Sequence, residues 1–153
     1  MIAQSAPIPE LYGAGADRLD GVAYLLGEGI SARHLDEMET GLCPRSEYFL
    51  FHQRHSPALL HIRQAERSSS TAVRKASRSR FKSWAVALEA MRRRREARAF
   101  VASGEDIGLR LALLCRAFNQ RKPICVITHG SYFGSGRLHY VLQGLRGMDS
   151  LHF

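Results

Sequence analysis

The last third of the chain carries one regular alternation that restricts the folds open to it. Residues 98–102 (RAFVA) form a short apolar run, and residues 104–118 (GEDIGLRLALLCRAF) follow with Ile107, Leu111, Leu114 and Phe118 on one stripe that Leu113 and Cys115 widen. Residues 123–128 (PICVIT) make a second apolar run, residues 137–145 return to helical spacing, and residues 151–153 open a third run. Apolar residues three and four apart build one face of a helix, whereas short bounded apolar runs build buried strands. Strand, helix, strand, helix, strand at this spacing predicts right-handed βαβ crossovers, and therefore an open, mostly parallel sheet flanked by helices. In such Rossmann-like α/β sheets ligands bind outside the carboxyl ends of the strands.

The earlier part of the chain is less regular. Leu19, Val22, Ala23, Leu25 and Leu26 share a helical face, with Asp17 as N-cap and Gly27 or Gly29 as terminator, which predicts a first helix. Residues 30–35 are expected as a short strand. EYFLF (47–51) and ALLHI (58–62), bounded by Pro44 and Pro57, are expected as two more. Residues 63–80 are polar, serine-rich and basic, which suits a solvated loop or the exposed start of a helix. Phe81, Trp84, Ala85, Leu88 and Met91 then recur at helical spacing, with Lys82, Glu89, Arg92 and Arg93 assigned to water.

Length and composition set the class. A chain of 153 residues suits one domain, here residues 1–153, and 45% hydrophobic with 24% charged residues is an ordinary globular balance. No apolar stretch approaches the roughly 20 residues that cross a bilayer, and the first nine residues lack the basic start and apolar centre of a signal peptide, so a cytoplasmic protein is expected. The third apolar run supplies only Leu151, His152 and Phe153, shorter than the usual 5 or 6 residues of a strand, so a fragment of a larger protein is expected.

Cys43, Cys115 and Cys125 are odd in number and widely spaced, with no C-x-x-C, so neither a disulfide framework nor a zinc site is expected, and no cofactor is. His34, His52, His55 and His61 fall in one region without metal-ligand spacing and are taken as surface or strand histidines. The net charge of +8 draws anionic partners of three kinds: nucleic acid, acidic lipid surfaces and phosphorylated ligands. Arg74, Lys75, Arg78, Arg80 and Lys82, with Arg92 to Arg95 beyond them, are the cationic candidates. Aromatic residues are not interleaved for base stacking, which weighs against nucleic acid. A solvated cationic helix face is the ordinary alternative; Phe81 and Trp84 are the residues that would enter a lipid surface, but both are expected to face the core.

Two stretches stand at expected strand ends: Ser103, Gly104 and Glu105 after RAFVA, and His129, Gly130 and Ser131 after ICVIT. Each runs towards a helix N-terminus whose free N–H groups favour an anion. Ser103, Glu105, His129 and Ser131 are therefore the candidate pocket residues, with an ordinary capped βα turn as the alternative. A histidine closing a buried strand needs a partner or a purpose. GSYFGSG (130–136) lacks the Lys-Ser/Thr pair of a phosphate-binding loop, and Gly13 and Gly15 in GAGADR have no third glycine and no clear preceding strand, so a flexible turn is the ordinary alternative for both and the expected one for Gly13 and Gly15.

RAFVASGEDIGLRLALLCRAFNQRKPICVITHG (98–130), with the glycine-containing loop and helical stretch after it, resembles the N-terminal domain of GT-B glycosyltransferases, in particular the bacterial family 4 type. The resemblance implies the N-terminal half of a two-domain crevice that transfers a sugar from a nucleotide-activated donor to a sugar or lipid-linked acceptor. It implies His129 beside the transferred sugar, Gly130 and Ser131 next to it, and Gly13 and Gly15 in a glycine loop near the donor phosphates. The donor-binding C-terminal domain is not in this sequence, so the chain alone is expected to be inactive, since positioning supplies much of the rate. The competing expectations are a nucleic-acid-binding module using residues 74–95 and a non-catalytic nucleotide-binding protein. For the transferase, a peripheral position on the inner face of the membrane follows from the basic helix.

Overall fold

The computed structural model describes residues 21–27, 32–44, 47–55, 57–127 and 151–152. These form an α/β fold around a five-stranded sheet in which every neighbouring pair is parallel. In chain order the elements are β1 (Gly21–Leu26), α1 (Ala32–Glu39), α2 (Glu47–His55), β2 (Ala58–His61), α3 (Ile62–Glu66) and α4 (Thr71–Ser77). They continue with α5 (Lys82–Arg92), β3 (Ala97–Ala102), α6 (Glu105–Ala117), β4 (Ile124–Val126) and the two-residue β5 (Leu151–His152). The strand order is β2-β1-β3-β4-β5. The chain thus moves outward from β1 to β2, returns to the other side of β1 with β3, and continues in that direction. That reversal makes the sheet doubly wound and Rossmann-like.

The pleat sorts side chains onto two faces. Ala23 and Leu25 of β1, Leu60 of β2, Phe100 and Ala102 of β3, and Ile124 and Val126 of β4 point to one face. There they meet Ile62 and Ala65 of α3, Val73 of α4, Ala85, Val86, Ala90 and Met91 of α5, and Ile107, Leu111 and Cys115 of α6. The opposite face carries Tyr24, Leu26 and Leu59 with Val101 and Ile127, and Phe51 of α2 covers it, its ring 5.4 Å from that of Tyr24. Both ends of α6 are defined: Gly104 precedes it at φ 135°, ψ 149°, a conformation open in practice only to glycine, and Asn119 at φ 50° follows its last turn.

The βαβ regularity of the C-terminal third is realised in β3, α6 and β4, and α5 lies on the sheet as its spacing predicts. Five expectations are corrected. The helix expected from Asp17 is instead the strand β1 where the structure describes it, because a strand buried on both faces shows a continuous apolar run whose spacing also fits a helical face. The strand expected at 47–51 is the start of α2, and the one expected at 30–35 gives way to α1 from Ala32. The polar stretch 63–80 is largely helical, in α3 and α4, with Val73 and Ser77 buried. Glu89, assigned to water, is buried. The helical stretch expected at 137–145 lies outside the described residues. No described helix is long and apolar enough to cross a membrane.

Candidate functional site

The carboxyl ends of β1 and β3 lie side by side where the strand order reverses, and this is where doubly wound sheets hold ligands. The pairing continues one residue past β3: the Ser103 amide donates to the Leu25 carbonyl at 3.0 Å, and the Ile127 amide donates to the Ala102 carbonyl at 2.9 Å. The three strand ends are thereby held in a fixed stagger. Ser103 and Gly104 then turn the chain into α6, so that Glu105 becomes its first residue directly at this rim.

Glu105 is the chemically notable group. It is 5% exposed, and its Oε1 has no hydrogen-bond partner among the described residues. Asp106 follows, and its carboxylate accepts the hydroxyl of Ser83 from the first turn of α5. The N-termini of α5 and α6 are therefore tied together at the carboxyl edge of the sheet. Arg110 closes the group: its guanidinium donates to the Asp106 carbonyl, lies 3.8 Å from the Asp106 carboxylate, and sits 5.7 Å above the Trp84 ring.

This geometry changes the expected chemistry of the edge. The free N–H groups of a helix start favour an anion, but two carboxylates already occupy the first turn of α6. A third negative group would meet them at close range. A buried carboxylate oxygen accepts hydrogen bonds, so what fits here is a donor such as a hydroxyl.

Of the residues expected to line a pocket, Ser103 and Glu105 stand together at the β1/β3 reversal. Gly13, Gly15, His129, Gly130 and Ser131 lie outside the described residues. The strand preceding His129 is parallel and internal: β4 pairs with β3 on one side and β5 on the other, so the chain leaves β4 towards the same edge.

His61 was passed over as a strand histidine, and it ends β2 at this edge, in register with Leu26. Its Nδ1 accepts the Arg63 amide at 3.3 Å, and its own amide donates to Gln64 Oε1 at 2.8 Å, which makes it the cap of α3. Burial, reinforced by the Arg63 and Arg67 charges and opposed by Glu66, holds its imidazole below the ordinary value. An accepting Nδ1 requires the neutral ring, consistent with that direction. The sequence signal was the H-x-x-Q spacing, which places a capping side chain and its reciprocal partner three residues apart.

The basic residues do not make one patch. Lys82 opens α5 and Arg92 ends it, so the two cationic groups are separated by a helix about 16 Å long. Arg92 pairs with Glu89 at 2.6 Å, Arg93 with Glu96 at 2.6 Å, and Arg94 bonds Gln120 and the Met91 carbonyl. Arg74 bonds the Ser68 carbonyl and the Thr71 hydroxyl. Lys75, Arg78, Arg80 and Lys82 are exposed, and Phe81 among them is half exposed beneath the Arg80 guanidinium.

Fold and site together define a doubly wound α/β protein with a buried carboxylate at the reversal point of its sheet. No family model, curated protein or solved structure matches the chain.

Proposed function

We propose that the chain is the acceptor-side, N-terminal domain of a GT-B glycosyltransferase, which moves a sugar from a nucleotide-activated donor to a sugar or lipid-linked acceptor. The observation that carries this reading is the Glu105 carboxylate, buried at the β1/β3 reversal with an oxygen that no described donor satisfies. Leaving a buried acceptor unpaired costs about 1–3 kcal/mol, and a hydroxyl of a bound sugar removes that cost. The acidic first turn of α6 suits a neutral, hydroxyl-rich acceptor better than the diphosphate of the donor. In this reading Ser103 and Glu105 orient the acceptor. His129, which follows β4 in the sequence, faces the transferred sugar with Gly130 and Ser131 beside it, and Gly13 and Gly15 approach the donor phosphates.

The test is sugar transfer by the protein of the complete reading frame over a panel of nucleotide sugars and acceptors. His129→Ala should abolish transfer with the circular dichroism spectrum unchanged, and Glu105→Gln should raise the acceptor KM far more than the donor KM. Full turnover in His129→Ala overturns the assignment of that residue. Nucleotide binding by calorimetry with no transfer to any acceptor would leave the non-catalytic nucleotide-binding reading instead.

A second observation favours an anionic membrane as the surface on which this transferase works. Phe81 is half exposed between Arg80 and Lys82, with Lys75 and Arg78 exposed nearby, at the end of α5 that meets α6. An apolar ring surrounded by cations enters an anionic lipid interface. Co-sedimentation with vesicles containing anionic lipid should occur, weaken with added salt, and fall in Phe81→Ser. Equal sedimentation with purely zwitterionic vesicles would overturn it.

A further inference from the structure

The turn after α1 gathers three chemically reactive side chains apart from the β1/β3 reversal. The Thr40 amide and hydroxyl both donate to the Asp36 carbonyl, at 2.9 and 2.7 Å, and close the helix. Gly41, at φ 78°, reverses the chain, and the Cys43 amide donates back to the Glu37 carbonyl at 3.1 Å. This fold-back lays the Cys43 thiol over the helix face that carries His34 and Glu37, one turn apart. Cys43 Sγ lies 4.0 Å from His34 Nδ1, and His34 Nδ1 lies 3.9 Å from Glu37 Oε2. One donor atom from each of the three residues falls within 4.8 Å of the other two. Among the described residues no other trio of His, Cys, Asp or Glu comes this close.

We propose that His34, Glu37 and Cys43 form a binding site for a divalent transition metal of the zinc class, with the fourth position left to water. A tetrahedral zinc with ordinary bond lengths places its ligand atoms about 3.5 Å apart, so these three close around an ion by shifts of about 1 Å or less in exposed or half-exposed side chains. The donor set selects the metal. A thiolate excludes magnesium and calcium, and one sulfur, one imidazole nitrogen and one carboxylate oxygen suit zinc. The carboxylate is already oriented, since Arg33 Nε donates to Glu37 Oε1 at 2.7 Å and leaves Oε2 towards His34. On binding, the Cys43 thiol releases its proton to solvent, and thiolate and carboxylate together neutralise the ion.

Cobalt(II), which takes zinc sites and reports their ligands by absorption, is the probe. Titration of the purified chain should give tetrahedral visible bands and a thiolate-to-cobalt charge-transfer band, saturating at one equivalent and displaced by zinc. Cys43→Ser should abolish the charge-transfer band, and His34→Ala should weaken cobalt binding by at least about tenfold. Cys125→Ser, which removes the other accessible thiol, should leave the spectrum unchanged. In the unsubstituted chain, zinc should protect Cys43 from alkylation and leave Cys125 reactive. Persistence of the charge-transfer band in Cys43→Ser, its loss in Cys125→Ser, or no tetrahedral spectrum with excess cobalt would each overturn the site.

Discussion

Gly108 of α6 lies so close to Val126 of β4 that a Cβ on residue 108 would stand 2.5 Å from Val126 Cγ2 and 2.9 Å from Cγ1. The missing side chain lets the helix sit down on the strand, and that seat fixes where the N-terminus of α6, with Glu105, meets the sheet edge. Gly108→Ala should destabilise the fold by about 1–3 kcal/mol, because overpacking outweighs the roughly 1 kcal/mol that alanine contributes as a better helix former. Urea denaturation measures the loss, and adding Val126→Ala should recover part of it. A Gly108→Ala variant as stable as the parent would show that the helix does not rest on Val126.

Glu89 joins α5 to the loop between α3 and α4. Its buried carboxylate accepts the Ser68 hydroxyl at 2.6 Å and two guanidinium N–H groups of Arg92 at 2.9 and 2.6 Å. Glu89→Ala leaves the buried Ser68 hydroxyl without its acceptor and should cost about 1–3 kcal/mol. Arg92→Ala should cost less than Glu89→Ala when the two are compared by denaturation, since 43% of the Arg92 side chain is in water. The reverse order would show that Ser68 contributes little.

The His61 imidazole is held below its ordinary value of 6.5, chiefly by burial. The unfolded chain therefore takes up this proton first as the pH falls. Stability from the neutral ring is complete above about 6.5, declines as the pH drops through that value, and levels off below the folded-state pKa. Denaturation midpoints from pH 8 down to pH 5 should show this acid-side decline, and His61→Asn, which keeps a capping oxygen, should flatten it. An unchanged slope in His61→Asn would assign the decline to other groups.

Glu105→Leu should separate stability from function. It removes a buried acceptor that lacks a described donor, a gain of about 1–3 kcal/mol, against the loss of about 0.3–1 kcal/mol from the helix dipole. The melting temperature should therefore rise while the acceptor binding proposed above is lost. A fall in melting temperature would mean that the carboxylate is satisfied within the fold.

The elements legible in the sequence were those whose pattern admits one solution. α5 and α6 are 11 and 13 residues long, enough turns for the apolar stripe to repeat. β1 was not legible, because GVAYLL is buried on both faces and a six-residue apolar run satisfies helical spacing as well as strand spacing. α2 was hidden by its aromatic start, a composition that favours strands, although Phe51 packs from the helix onto Tyr24 of the sheet. Cys125 sits in an apolar run, yet it is exposed, because its side of β4 faces away from Ile124 and Val126. Cys115, which widens the apolar stripe of α6, is buried, and burial pushes its thiol pKa up. The place of Ser103 and Glu105 after a strand was legible, because RAFVA ends just before them. The meeting of His34, Glu37 and Cys43 depends on a glycine turn, and no ligand spacing announces it.

β1 is made before both of its partners and placed between them. Residue 23 pairs with residue 58 on one side and residue 100 on the other, so a nascent chain leaving the ribosome carries an apolar segment with both hydrogen-bonding edges open. The first edge closes only after β2 has emerged, and the second waits for β3. The sheet therefore closes through late, distant pairings, which slow its formation and leave apolar strand edges open until residue 102 is clear of the exit tunnel.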